Sequence, residues 1–517
     1  MERIEERFSY KKCAVRKEIV CEVGCDFTLP DYLGDIKRIV MTRETVSVGG
    51  AYCDAGQISG CGVVTYNVVY IDSEGKLTSA EFSKDYECTA RCDADTLSET
   101  YITSRVISSG VRATTPRKLV AKSTVASNLR GFSNEEILIP EEFSSGGLEF
   151  KNEFCSVRST YVTHLNEREY AERLCTLDGV MADDLTVIAK SARPEIKSVE
   201  MHDGVINVKG QIKVECAVMC APLAPTVESL TLEINEDCPA GSKNPISISA
   251  LPNVSSLTVN TVPTEDGCEI MCDLILDITV VEDENVAVSM PTDAYAPGRV
   301  TDFEYSTATL ESVTAPIVEN CRCEMRADRT ELGLKDARDI IITDATIKPD
   351  PILIEGDSII MSGEIKYTGV ATQINEDGTL NYISFKNSAP YKHIVNNTCQ
   401  DNCDISCDIL AFVSAASCML DKGEAVFECG ISFRGVMLSA KTTRYISSVS
   451  MAEESDEKPP RRVVVYYPDK DESLYEVAKR FDTTARAVAN INSLGIDVAA
   501  SPAQKGGLSG VKRLIIY

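Results

Sequence analysis

Three runs of this chain start at a glycine and continue in β-branched and aromatic residues. They are GVVTYNVVY at 62–70, GQIKVECAVMC at 210–220 and GEIKYTGVATQ at 363–373. Such side chains lose rotamer freedom in a helix and suit a pleated surface. The first and third runs reach an acidic glycine turn, IDSEGKL and INEDGTL, the mark of a hairpin whose glycine takes φ > 0. The echo extends upstream. DLTVIAKSARPEIKSVEMHDGVINVKG leads into the second run and DIIITDATIKPDPILIEGDSIIMSG into the third, each with a strand, a proline break and two further strands. Downstream come alternating runs such as CEIMCDLILDITVV and EAVFECGISFRGVML. Recurrence at roughly 150 residues is too long for a solenoid unit. It predicts a mainly β chain with three tandem sandwich-like or barrel-like domains over 1–135, 136–290 and 291–450. Helix is expected to be scarce there. One candidate is DYLGDIKRIV, where Ile36, Ile39 and Val40 would line one helical face.

The sequence of 517 residues is too long for one ordinary core, in keeping with several domains. Its net charge of −27 argues against recognition of DNA or RNA through phosphates. The charge is uneven. Residues 461–517 carry nine Lys/Arg against six Asp/Glu, a net of +3, which leaves −30 for the rest. The first residues, MERIEERFSYKKCAVRKEIVCEV, lack the apolar stretch of a secretory signal. No run approaches 18 apolar residues, so no membrane span is expected and the chain is expected to begin in a cytosol.

Twenty-one cysteines are many for a cytosolic protein. Several stand four apart: Cys21/Cys25, Cys88/Cys92, Cys216/Cys220, Cys268/Cys272 and Cys399/Cys403/Cys407. Residues four apart on a strand share a face but lie roughly 13 Å from each other. Zinc needs both sulfurs about 2.3 Å from one ion. Buried small hydrophobes are therefore the first reading, later covalent cross-linking the second, and a metal site the third. No cofactor or metal is expected.

MAEESDEKPP at 451–460 is acidic, ends in two prolines and has no apolar period, so 451–462 is expected to be an extended linker. Beyond it, RRVVVYYP reads as a short strand stopped by Pro468. DKDESLYEVAKRF reads as a helix, with Leu474, Val477, Ala478 and Phe481 on one buried face. DTTARAVANIN makes a second helix capped by Thr483 or Thr484, with Val488 facing inward. VKRLIIY is a final strand. The order is β-α-α-β over 463–517. Alternation turns Val464, Tyr466 and Pro468 inward and Val463, Val465 and Tyr467 outward. Tyr475 stands one position off the buried stripe and is expected to be at least partly exposed. Outward valines beside exposed tyrosines suit a protein-binding patch, where aromatic anchors dominate.

Residues 463–517 resemble a LysM domain. Glu472, Ser473, Leu474 and Tyr475 fill the characteristic turn, Val477-Ala478 the small apolar pair, and Asn492 the closing asparagine. Asp471 stands where that pattern has glycine, and GLSGVKRL replaces the usual Pro-Gly before the last strand. Both departures flank the loops that form the glycan groove in LysM domains. With LPDYLGDIKRIV in the first repeat and TDAYAP before the third, the whole chain resembles the SPOCS-domain spore morphogenetic proteins of spore-forming Clostridia. That resemblance implies a non-enzymatic scaffold of spore coat and exosporium assembly. It implies a location in the mother-cell cytoplasm at the forespore surface. It also implies docking through the LysM module onto a SpoIVA-like coat basement-layer ATPase, with other coat proteins as candidate partners of the β repeats. The competing expectation is a LysM module that grips peptidoglycan or cortex. An enzyme is not expected: His164, His202 and His393 are scattered, and no Gly-x-Ser-x-Gly, Walker loop or His-Glu-x-x-His occurs.

Overall fold

The computed structural model describes residues 5–92, 97–140, 148–220, 224–375, 378–397, 404–451, 463–469, 471–494, 508 and 510–517. Strands dominate, and all pairings among them are antiparallel. The first six are β1 (Glu5–Thr28), β2 (Ile36–Asp54), β3 (Gln57–Asp72), β4 (Leu77–Arg91), β5 (Glu99–Thr115) and β6 (Lys118–Pro140). They form two sheets, β1–β6–β5 and β2–β3–β4. Next come β7 (Glu149–Asp178), β8 (Leu185–His202), β9 (Val205–Cys220), β10 (Thr226–Pro239), β11 (Ser247–Pro263) and β12 (Gly267–Tyr295). Their sheets are β7–β12–β11 and β8–β9–β10.

The third set holds β13 (Thr301–Asp328), β14 (Ala337–Pro349), β15 (Leu353–Glu355), β16 (Ser358–Ile374), β17 (Leu380–Asn396), β18 (Asp404–Asp421) and β19 (Glu424–Met451). Here β13–β19–β18 is one sheet, and β16 pairs with β14, β15 and β17 in the other. In each set the first strand pairs with the last, and an apolar core lies between the two sheets.

The recurring glycine has one local cause in all three sets. A Cβ at Gly62, Gly210 or Gly363 would stand 2.3 Å from the Ser47 oxygen, 2.3 Å from the Glu195 oxygen or 2.4 Å from the Lys348 oxygen. Each sits on a middle strand where the neighbouring backbone approaches too closely for any side chain. The turn glycines Gly75 and Gly378 have φ of 89° and 82°.

Two sequence expectations give way. DYLGDIKRIV is a turn followed by the start of β2, not a helix. Arg117 ties its loop down through the Leu29, Pro30 and Leu33 carbonyls and the Asp35 carboxylate, and Ile36 then enters the sheet. The boundaries at 135 and 290 fall inside β6 and β12, because the closing strands run on to Pro140 and Tyr295. The expected linker lies outside the described residues apart from Met451, the last residue of β19.

The three sets meet at two apolar junctions. One joins Val40 and Met41 of β2, Ile188 and Ala189 of β8, and Ile341 and Ile342 of β14. Neighbouring strand residues normally face opposite sides. A bulge in each strand turns the pair inward together: Ile39/Met41, Val187/Ala189 and Ile340/Ile342. The other junction joins Tyr101 and Phe132, Leu251 and Val281, and Leu410 and Phe412. A cavity of about 1460 Å³ reaches the second junction at Tyr101, Leu251, Leu410 and Phe412 and is lined by β2 and β5, β8 and β11, and β14 and β18.

Beside each junction lies a buried ion cluster. Asp344 accepts from Arg43 Nε at 3.0 Å and Arg193 Nη2 at 2.8 Å. Asp408 accepts from Arg130 Nη2 at 2.7 Å, with Arg16 Nε at 3.4 Å and Arg158 Nη1 at 3.8 Å. Arg158 also donates to Asp283 at 2.7 Å. Burial pushes both aspartates up, but the surrounding guanidiniums outweigh it and hold both carboxyls below their ordinary value.

Candidate functional site

The terminal module pairs β20 (Val464–Tyr466) with β21 (Leu514–Ile516) and packs them on α1 (Leu474–Arg480) and α2 (Ala485–Ile491). Ser473 starts α1 with a capping box: its hydroxyl accepts from Glu476 N at 3.3 Å, and the Glu476 carboxylate accepts from Ser473 N at 3.1 Å. Thr484 caps α2 by accepting from Ala487 N at 3.1 Å. Leu474, Val477, Ala478 and Val488 are buried, so the helical stripe packs inward.

The loop residues divide by role. Glu472 is buried and holds the turn together. Its carboxylate accepts from Tyr466 Oη at 2.8 Å, Arg480 Nη2 at 2.9 Å and Asp469 N at 3.3 Å. Asp471 is exposed. Asn492 closes the module: its amide donates to the Val488 and Ile515 carbonyls and accepts from Ile515 N at 2.6 Å. One side chain thus ends α2 and fixes the register of β21.

Val463, Val465 and Tyr467 are 62 %, 52 % and 69 % exposed, whereas Val464 and Tyr466 pack on the module core. Tyr517 lies 64 % exposed beyond β21, and Val465 faces Ile515 across the pair. These residues form an apolar aromatic surface, with exposed Lys512 and Arg513 beside it in sequence.

Tyr475 does not belong to that surface. It is 1 % exposed and packs against Tyr295 at the end of β12, ring centroids 5.2 Å apart and nearly perpendicular. The sequence stripe misjudged it because a single helix cannot reveal that β12 of the second strand set covers its other flank. Polar contacts surround the ring pair. Tyr295 Oη donates to the Thr483 carbonyl at 2.9 Å, and Ala485 N donates to Glu149 Oε1 at 3.2 Å. Lys151 reaches Glu476 at 3.1 Å and Lys479 reaches Asp293 at 2.6 Å. Burial first, and the Asp293 carboxylate second, push the Tyr475 phenol well above its ordinary value.

His164 faces the cavity between the Thr279 hydroxyl and the Thr100 carbonyl, His393 stacks on Phe433, and His202 is exposed. Among the described residues no group of three or more His, Cys, Asp or Glu side chains stands where it could hold a metal ion. Cys399 and Cys403 lie outside the described residues. No described helix is long and apolar enough to cross a membrane. No protein-family model, curated protein or solved structure matches the chain.

Proposed function

We propose that the chain is a non-enzymatic scaffold for spore envelope assembly. Its three strand sets are tandem copies of one SPOCS-type unit, and its terminal module is of LysM type. The module engages a SpoIVA-like coat basement-layer ATPase at the forespore surface, from the mother-cell cytoplasm. The three-fold recurrence of sheet order, bulge and glycine supports the tandem reading. The observation that carries the partner reading is the outward face of β20 and β21. Val463, Val465, Tyr467 and Tyr517 expose apolar area that the module does not use for its own core. Such area, with aromatic anchors, suits a polypeptide partner.

The test uses the full chain, because the module core includes Tyr295 of the second strand set. Tyr467→Glu paired with Val465→Glu is expected to abolish retention of the ATPase, with circular dichroism unchanged. Unchanged retention would remove this face from the proposal. Enrichment of the full chain on insoluble peptidoglycan, with no retained ATPase, would favour the glycan-anchor reading.

A further inference from the structure

Cys321 and Cys323 both point inward from β13, an edge strand of its sheet, and their sulfurs lie 3.6 Å apart. Directly opposite Cys323 on the middle strand β19 is Cys429, fully buried. Cys321 and Cys323 are only half-buried, so the thiols grade from partly accessible to enclosed. All three pack on one core with Phe427 and Tyr367. Burial is the first cause that pushes Cys323 and Cys429 up to about 12, and neighbouring sulfur is a further one. The raised values keep both thiols protonated at neutral pH, so exchange through them is slow and speeds up as pH rises.

We propose that Cys321, Cys323 and Cys429 form an oxidation site that staples β13 to β19. The oxidant is a small-molecule disulfide of the oxidised-glutathione class. Cys321, half-buried on the edge strand, attacks one glutathione sulfur and releases one reduced glutathione. Cys323 then displaces the second glutathione from Cys321, and the Cys321–Cys323 bond forms. Two electrons and two protons have passed from the protein thiols to two glutathiones. Two residues of strand span about 6.4–6.8 Å between Cα atoms, the upper limit for a disulfide, so this bond is strained and labile. Directly opposed residues of an antiparallel pair stand about 4.5–5.5 Å apart, inside the favoured range. Cys429 therefore attacks Cys323, the bridge passes to Cys323–Cys429, and Cys321 returns to the thiol. The product joins the first and last strands of the third set.

The experiment exposes the reduced full chain to oxidised glutathione, alkylates the remaining thiols and maps tryptic peptides by mass. Trypsin cuts after Arg322, so each bridge appears as its own pair of joined peptides. The expected product is Cys323–Cys429 with Cys321 alkylated. Cys429→Ala should halt the sequence at Cys321–Cys323, and Cys321→Ser should slow the final bridge by about tenfold, as loss of the entry thiol requires. Free thiols or glutathione adducts at all three positions, while half-buried Cys25 or Cys61 is modified, would overturn the site. A Cys321→Ser chain that forms the bridge at the original rate would overturn the entry role.

Discussion

The strand sets and the terminal module are both held to a neighbour by charge and by apolar contact, in opposite proportions. At the junctions of the three sets the ions are enclosed: Asp408, Arg130, Arg158 and Asp283 expose 5–8 % of their side chains. At the joint of the module, Lys151, Glu476, Lys479 and Asp293 expose 29–41 %. Breaking an enclosed pair strands a charge away from water and costs about 3–5 kcal/mol, whereas an exposed pair contributes about 0–1 kcal/mol. The junctions therefore depend on complete ion sets, and the module depends on Tyr295 and Tyr475. Water is the difference between the two joints.

The largest expected effect breaks the first half of that contrast. Asp408→Asn leaves Arg16, Arg130 and Arg158 around a neutral amide and should lower the stability of the body by about 3–5 kcal/mol in urea denaturation. A loss below about 1 kcal/mol would mean that water reaches the cluster.

The pH dependence sharpens the same point. Asp344 and Asp408 have folded-state pKa values below the ordinary carboxyl range. Their contribution is fully present above the unfolded value of about 3.9 and is lost as pH falls through the folded value. Denaturation midpoints should lose this contribution only below about pH 4. Asp344→Asn combined with Asp408→Asn should flatten that acid limb.

Tyr475→Ala tests the other half. Truncating a large buried aromatic should cost about 3–5 kcal/mol, felt by the module rather than the body. Amide exchange of Leu474–Arg480 should accelerate while β12 keeps its protection. Equal loosening of both would mean that the module and the second set unfold together.

Asn492→Ala comes next, at about 1–3 kcal/mol, because a backbone N–H and a carbonyl of Ile515 lose their partner. Faster exchange confined to β21 would show it. Lys479→Ala should be smallest, about 0–1 kcal/mol, and should vanish in high salt. A larger effect would place the Asp293 pair among the enclosed ions.

Much of the strand pattern was legible. The middle strands were visible because β-branched runs and their leading glycine answer to local geometry, the steric limit at Gly210 and Gly363 above all. The junctions were legible only in hindsight. VM at 40–41, IA at 188–189 and II at 341–342 interrupt the alternation of buried and exposed positions, and that interruption is the trace of the bulges. Nothing local marks Asp344 or Asp408 as different from the other acidic residues, since their arginines come from distant strands. In the module, alternation assigned Val463, Val465 and Tyr467 to the outside because a strand face is a local property. Tyr475 escaped because Tyr295, which covers it, lies 180 residues upstream.

Asp408 has a consequence for the order in which the molecule can be completed. Arg130 leaves the ribosome long before Asp408, the carboxylate it pairs with, whereas Arg158 already has Asp283 and Arg16 has Glu311 upstream of that point. Until residue 408 emerges, the Arg130 guanidinium must stay hydrated at a surface that will later close. A chain ending before that point leaves Arg130 with no carboxylate to close on, so the seam beside the second junction stays wet.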